Sequence, residues 1–479
     1  MQFNSYSYLL CLSVVVVVFW LLPVRARRSY VLAVSVAFYA SWNAYFIVVP
    51  AFVGAVAYLS AERVTRRPDA SRTALVTGIV LILLCLAYVK YLGFITINLN
   101  AVALRWHLPA MAFARIALPL GISFYSFEAI SYLLDARQRR VGAVGLMDLA
   151  LFIMFWPHLI AGPIVRIREL VPQLRFDRTF DVSLAVSGMD RLLWGLVQKN
   201  VFANSLAAWV DDGFLPRAAL LNSTIDNWAL ALAFGLQIYF DFAAYSNMAI
   251  GAAALIGVRL PDNFRFPYHA ATPPDFWARW HMTLSRWIRD YLFFPLSARY
   301  SGSTVKLYAS LVGVMALVGL WHGAAWGFMA WGVMHGLYLV AYRAYESWRD
   351  RRHPALAGSK RMAFVWRVLT LAAVAAAWVP FRAGSLAQAG TMLARMTVRW
   401  SFGLSYSMNF YLVTILLCVW CLIEPYCARG VAYAESLAER APAYFVANWF
   451  VLRPLVYATA LLLFMIFDDR DIQFIYFQF

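Results

Sequence analysis

Charge is scarce in this sequence. Only 14% of its 479 residues are Asp, Glu, Lys or Arg, against about one quarter in a soluble domain. A soluble protein of this length needs a polar surface that the composition does not supply. Acidic groups are the scarcer sign, at 24 against 41 Lys and Arg. Cysteine is rare as well: Cys11, Cys85, Cys418, Cys421 and Cys427 are odd in number and mostly lie in apolar runs. They read as small buried side chains rather than a disulfide framework, and no metal-ligand spacing is evident. Gly-rich phosphate loops, paired histidines at i, i+4 and a nucleophile elbow around Ser123 are also missing. These absences leave P-loop, zinc-protease and α/β-hydrolase chemistries unsupported.

What the chain has in abundance is apolar length. Uninterrupted runs occupy residues 9–24, 30–59, 74–89, 228–240, 307–320, 365–379, 410–423 and 455–466. A helix needs about 20 residues to cross ~30 Å of hydrocarbon, and several runs approach that. Backbone groups in lipid must pair internally, so the spans are helices or a closed barrel. Continuous runs, without alternation, predict an all-α polytopic transmembrane bundle of about 10–12 spans with re-entrant and interfacial helices. No basic residue precedes the first run, and Pro23-Val24-Arg25 replaces a small-residue cleavage site. The first helix is therefore expected to stay in the membrane.

The net charge of +17 suggests nucleic acid until its placement is considered. Basic residues flank the apolar runs: Arg25, Arg27 and Arg28; Arg63, Arg66, Arg67 and Arg72; Arg137, Arg139 and Arg140; and clusters over 166–178 and 343–367. This is the positive-inside pattern of a bacterial inner or plasma membrane protein, with the bilayer and not nucleic acid as the partner. It puts Arg66, Arg139 and Arg351 in the cytosol. The acidic loop around Asp211, Asp212 and Asp226 then faces the periplasm. Residues 29–62 read as an out-and-back hairpin turning near Trp42-Asn43. Residues 259–306, rich in Arg, aromatics and proline, read as short helices along the cytoplasmic face. Residues 307–341 read as two spans or a re-entrant hairpin. The charged stretch 349–361 is too short to separate a pair of domains, so 1–479 reads as one membrane domain.

Polar groups within membrane helices are costly and mark candidate sites. Glu128, Ser131, Tyr132 and Asp135 share one helix face. They form either an interhelical hydrogen-bond stripe or a substrate path. Gln237, Asp241 and Tyr245 form a second stripe, in which Asp241 requires a proton, water or a cationic partner. Three histidines lie in apolar surroundings: Trp280-His281, Trp321-His322 and His335. A lone histidine on an apolar face is usually a satisfied core residue. His322 stands apart because Gly319 and Gly323 flank it, and small neighbours allow a backbone or a ligand to approach.

These segments resemble the membrane-bound O-acyltransferase family. The likeness is strongest to its bacterial branch, which includes the membrane subunit of alginate O-acetylation and the teichoic acid D-alanyl transferase. It rests on LPLGISFYSFEAISYLLD (118–135), FWPHLIAGPIVRIREL (155–170), IYFDFAAYSNMAIG (238–251), LPDNFRFPYHA (260–270), FWARWHMTLSRWIRDYLFFPL (276–296), GLWHGAAWGFMAWGVMHG (319–336), AWVPFRAGSLAQA (377–389) and the terminal FIYFQF. Together they make 118–479 the family core, while 1–117 matches only in general character.

By this resemblance the family's essential histidine falls on His322, and the second histidine of the bacterial branch on His281. Two positions depart from the alginate-type pattern: Asn247 stands where Asp is common, and Glu128 where Gln is common. The resemblance implies a tunnel joining a cytosolic acyl donor to an acceptor across the membrane. For this branch the implied donor is acetyl-coenzyme A, with no tightly bound cofactor. A periplasmic acetyltransferase- or esterase-like partner then serves the hydroxyls of an exported polysaccharide. D-alanyl transfer to teichoic acid, or a non-enzymatic transporter, are the rival functions.

In the implied reaction His322 accepts the proton of the attacking hydroxyl and His281 orients or polarises the reactants. Gly319 and Gly323 leave room for the thioester, and Trp321 and Trp326 exclude water. Asp241 and Trp321 are candidate substrate contacts. Arg279, Arg286 and Arg289 either meet donor phosphates, which guanidinium binds two oxygens at a time, or snorkel to lipid headgroups.

Overall fold

The computed structural model describes residues 2–66, 71–112, 117–354, 358–440, 448–467 and 474–475. Arg67, the middle of the 349–361 stretch and the last four residues of the terminal FIYFQF lie outside the described residues. Among those described, the chain is all-α, with no strand. Among the described residues seven helical stretches are long and apolar enough to cross a membrane: Val24–Arg66, Ser71–Arg105, Thr224–Leu255, Thr304–His322, Lys360–Arg382, Met408–Ser436 and Asn448–Phe467. The chain is thus a multi-pass membrane protein.

The lower number than the 10–12 expected has physical reasons. Val24–Arg66 contains two helices, Val24–Asn43 and Val48–Arg66, broken where Asn43 turns extended and its side chain accepts the Tyr45 N–H at 3.0 Å. Trp42-Asn43 is therefore a helix boundary, while the two helices it joins are not among the closely packed pairs that an out-and-back hairpin would give. Tyr6–Leu21 and Ile122–Arg137 are each 16 residues, short for a span. Trp326–Arg352 carries Arg343, Glu346, Arg349, Asp350, Arg351 and Arg352 in its second half.

The chain forms two compact units, residues 1–192 with 246–262, and residues 193–245 with 263–479. In the first, Val48–Arg66, Ser71–Leu86 and Ile122–Arg137 pack on one another. Among the described residues, Glu128, Tyr132 and Asp135 of the polar stripe of Ile122–Arg137 bond to the connecting segments that follow it rather than to a neighbouring helix. The Glu128 carboxylate accepts the Val165 N–H at 3.2 Å and faces His158 Nε2 at 3.4 Å, Tyr132 Oη accepts the Val144 N–H at 3.1 Å, and Asp135 pairs with Arg140. Arg191 donates to Asn247 at 2.9 Å and pairs with Asp262 at 2.7 Å, so the Asn at 247 keeps a cationic partner.

In the second unit, Thr304–His322 and Trp326–Arg352 form a tightly packed hairpin turning at 323–325, with Lys360–Arg382 against it. Residues 307–341 thus lie in paired helices, of which Thr304–His322 is long and apolar enough to cross a membrane. Ser303 and Ser359 cap the helices that follow them by accepting the Lys306 and Met362 N–H groups, which satisfies donors that a helix start leaves free. The belt 259–306 is a series of short elements, Pro273–Trp277, Met282–Ile288, a π turn Arg289–Phe293 and Phe294–Arg299.

Two expectations need correcting. Asp226 is fully buried; it accepts hydrogen bonds from the Ser223 and Ser405 N–H groups and the Ser405 and Tyr411 hydroxyls, and so ties its helix start to residues 405–411. It contributes no surface charge. Of the cysteines only Cys421 is buried; Cys11 and Cys427 are exposed. A thiol on the outer face of an apolar helix sits comfortably in lipid, so an apolar run alone does not imply burial within protein.

Candidate acyl-transfer site

The candidate histidines His281 and His322 lie together in the second unit. His281 takes a left-handed backbone, φ 41° and ψ 53°, just before Met282–Ile288. A non-glycine residue rarely adopts this conformation unless its surroundings impose it. Two backbone bonds hold it there: the Met282 N–H donates to the Asn263 carbonyl at 2.8 Å, and the Arg265 N–H to the Arg279 carbonyl at 2.9 Å. The His281 ring is completely buried. Its Nδ1 faces Asn263 Oδ1 at 3.0 Å, and the rings of Phe242 (4.7 Å), Trp321 (6.1 Å) and Phe264 (6.4 Å) surround it. Burial pushes its pKa down to about 3, so the imidazole is neutral at pH 7.

His322 ends the helix Thr304–His322 and is buried. Its ring contacts Trp321 at 5.0 Å, Trp331 at 5.1 Å and Phe381 at 5.6 Å. Trp321 therefore touches both histidines. Trp331 in turn touches His335 at 4.9 Å, and Trp277 touches His335 at 5.2 Å. The result is a row of alternating imidazole and indole rings: His281, Trp321, His322, Trp331, His335.

A cavity of about 380 Å³ lies nearby; none of the five rings of the row lines it, but Trp277, which contacts His335, and Met282, next to His281, do. Leu311, Val314, Met315 and Val318 line it. These fall at i, i+3, i+4 and i+7, and His322 is the next residue in that progression, one turn beyond Val318. The apolar groove thus follows the helix face that ends at His322. Arg286, Arg289 and Arg343 also line it, as does Trp277. An apolar groove with a few convergent polar groups is the usual form of a small-molecule site.

The sequence-predicted residues divide as follows. His281, Trp321 and His322 come together, and Arg286 and Arg289 line the adjacent cavity. Arg279 does not line it; it pairs with Asp275 at 2.7 Å. Asp241 is buried and bonded elsewhere, to Lys199 Nζ at 2.7 Å and to the Ile475 N–H at 2.8 Å. The cationic partner that Asp241 requires is thus a lysine, and Phe474 of the terminal motif covers it at 4.5 Å.

The space beside Gly319 and Gly323 is not open. A Cβ on Gly319 would lie 2.1 Å from the Phe328 carbonyl oxygen, and one on Gly323 would lie 2.1 Å from the Phe328 ring. These glycines serve close helix packing. Trp326 is 48% exposed, and the buried indole against His322 is that of Trp331. Asn263, Trp277, Trp331 and Arg343 were not singled out from sequence; Asn263 lies in the quoted LPDNFRFPYHA segment.

Residues 73–379 match the model of MBOAT, the membrane-bound O-acyltransferase family. The chain belongs to that family. It is 38% identical over 409 residues to a probable alginate O-acetylase of Azotobacter vinelandii, covering 84% of this chain and 79% of that protein. It is 33% identical to a peptidoglycan O-acetyltransferase of Helicobacter pylori, covering 78% and 74%. It is 28% identical over 241 residues to a teichoic acid D-alanyltransferase of Bacillus subtilis, covering 48% of this chain and 60% of that one. The protein is therefore a membrane acyltransferase enzyme acting from an acyl donor, and the matched span starts earlier, at 73, than the motifs that first suggested it.

Proposed function

We propose that this acyltransferase is an O-acetyltransferase that passes acetyl groups from cytosolic acetyl-coenzyme A toward hydroxyls of an exported polysaccharide or cell-wall glycan. The observation that carries this reading is the apolar groove with Arg286, Arg289 and Arg343, running along the helix face that ends at buried His322. Guanidinium groups suit the donor's phosphates, and an apolar groove suits its narrow thioester arm. The similarity to proteins named as alginate and peptidoglycan O-acetylating enzymes, over most of the chain, supports acetyl as the group. The family-matched span draws on both compact units, and we read them as one catalytic domain. By its basic clusters the chain sits in a bacterial inner membrane, with a tunnel through the bundle and a periplasmic esterase-like partner receiving the acetyl group.

In the proposed chemistry His322 takes the proton from the attacking hydroxyl as its oxygen bonds to the thioester carbonyl. The C–S bond then breaks, and the same proton passes to the leaving thiolate. Histidine suits both steps because its unperturbed pKa lies near physiological pH. Trp321 and Trp331 keep water from the thioester. His281 orients the reactants.

Purified protein in lipid nanodiscs with labelled acetyl-coenzyme A tests the reading. Label should move to a hydroxyl acceptor. Movement of D-alanine but not acetyl under the same conditions would shift the assignment to the teichoic acid branch. Passage of a solute without any acyl transfer would replace it with a transporter.

A further inference from the structure

Asn263 binds the His281 segment at several points. Its main-chain carbonyl accepts the Met282 N–H at 2.8 Å. Its Oδ1 accepts the Thr283 hydroxyl at 2.8 Å and the Thr283 N–H at 3.3 Å. The Thr283 N–H, which can only donate, determines which way the amide points, because a flipped Nδ2 would meet it donor to donor. The atom facing His281 Nδ1 at 3.0 Å is therefore a carbonyl oxygen, which can only accept. It follows that His281 carries its proton on Nδ1 and its lone pair on Nε2. Among the described residues Nε2 has no hydrogen-bond partner, although the ring is completely buried. A buried polar atom without a partner loses its hydration with nothing in return, so it calls for an explanation.

We infer that Asn263 is a positioning residue of the acyl-transfer site. It holds His281 in the Nδ1–H tautomer so that Nε2 accepts a hydrogen bond from an O–H or N–H of the bound reactants. The inference rests on the transfer reading above and narrows it. His281 left as either an orienting or a polarising group is now an acceptor, because polarising a carbonyl from Nε2 would require a proton there. The left-handed backbone at His281 has the same sense: Asn263 grips the segment on the C-terminal side of the strained position and aims the ring. Among the described residues, the aromatic rings of Phe242, Phe264 and Trp321 and the neutral groups of Asn263 and Thr283 face this imidazole, so no neighbouring charge sets its protonation.

The test uses full-length protein labelled with [15N]histidine in nanodiscs, with the His281 resonances assigned by their loss in His281→Gln. The expected signature is a protonated Nδ1 and an unprotonated Nε2 at neutral pH. This readout needs no turnover, so it stands or falls separately from the acetyl-transfer reading. Asn263→Ala should release the tautomer and lower kcat on the order of tenfold or more, with the donor KM unchanged. Asn263→Asp keeps an accepting oxygen and adds charge. It should retain the tautomer, accumulate normally and move the acid limb of the rate profile to higher pH, because a carboxylate favours the imidazolium. A protonated Nε2 in the unsubstituted protein overturns the inference. So does an Asn263→Asp enzyme with an unmoved profile, or an Asn263→Ala enzyme with normal tautomer and rate.

Discussion

At the scale of single residues, the two histidines sit in different settings. His322 lies at a helix end between indole rings, and His281 lies in a polar clamp. Positioned general-base catalysis typically contributes about 10²–10⁴-fold in rate. His322→Ala should therefore lose at least about a hundredfold in acyl transfer while accumulating normally in membranes. Near-normal transfer by an equally abundant variant would refute its assignment as the base. Burial also links His281 to stability. Its pKa is about 3 in the folded protein against the ordinary 6.5, so between these values the unfolded chain binds a proton that the folded one refuses. The stability contributed by neutral His281 is complete above about pH 6.5 and is lost as pH falls toward about 3. Thermal unfolding in detergent at about pH 7.5 and about pH 4.5 should show a smaller acid-induced drop for His281→Gln than for the unsubstituted protein.

At the scale of elements, the hairpin of Thr304–His322 and Trp326–Arg352 carries both the proposed base, His322, and one wall of the cavity. It closes on glycine. A Cβ on Gly332 would lie 2.1 Å from the Met315 carbonyl oxygen, whereas one on Gly313 would meet nothing within 4 Å. Neither helix backbone can retreat cheaply, and overpacking costs about 1–3 kcal/mol or more. Gly332→Ala should lower the thermal midpoint in detergent clearly, and Gly313→Ala should leave it nearly unchanged. Equal midpoints for the two variants would mean that the close approach does not hold the pair. The arginines lining the groove act at this scale also, since Arg286 and Arg289 come from the belt and Arg343 from the hairpin. Replacing each with Gln should raise the donor KM while leaving kcat largely intact, the pattern of lost ground-state binding. Unchanged donor kinetics in all three variants would assign them to lipid headgroups.

At the scale of the whole molecule, orientation follows from charge asymmetry. Asp211 pairs with Arg382 and keeps its side chain 63% exposed, and Arg139 and Arg351 are exposed. In a protein stripped of its native cysteines, a cysteine at 211 should react with an impermeant reagent from outside intact cells. Cysteines at 139 and 351 should react only after permeabilisation. Ready labelling at 139 from outside would reverse the topology.

The helical membrane class, the paired helices after residue 307 and the short elements of the belt were legible from local pattern, and the family motifs marked the two histidines as candidates. Apolar run length, charge placement and motif identity do not depend on which helices meet. Partnership was not legible. The sequence marked Asp241 as needing a cation, and only the fold supplied Lys199 and the Ile475 N–H. It marked Gly319 and Gly323 as small, and only packing shows that Phe328 uses that space. It placed Trp326 beside the base by proximity in sequence, while the helix turn brings Trp331 there and leaves Trp326 exposed. Asn263, 18 residues before His281, is an ordinary loop asparagine until the backbone folds it against Nδ1. Composition and periodicity report what each segment buries, because that is a free energy of transfer summed locally. Which polar atoms pair, and which space remains for a substrate, depends on directional contacts between segments distant in sequence, and those exist only once the helices have packed.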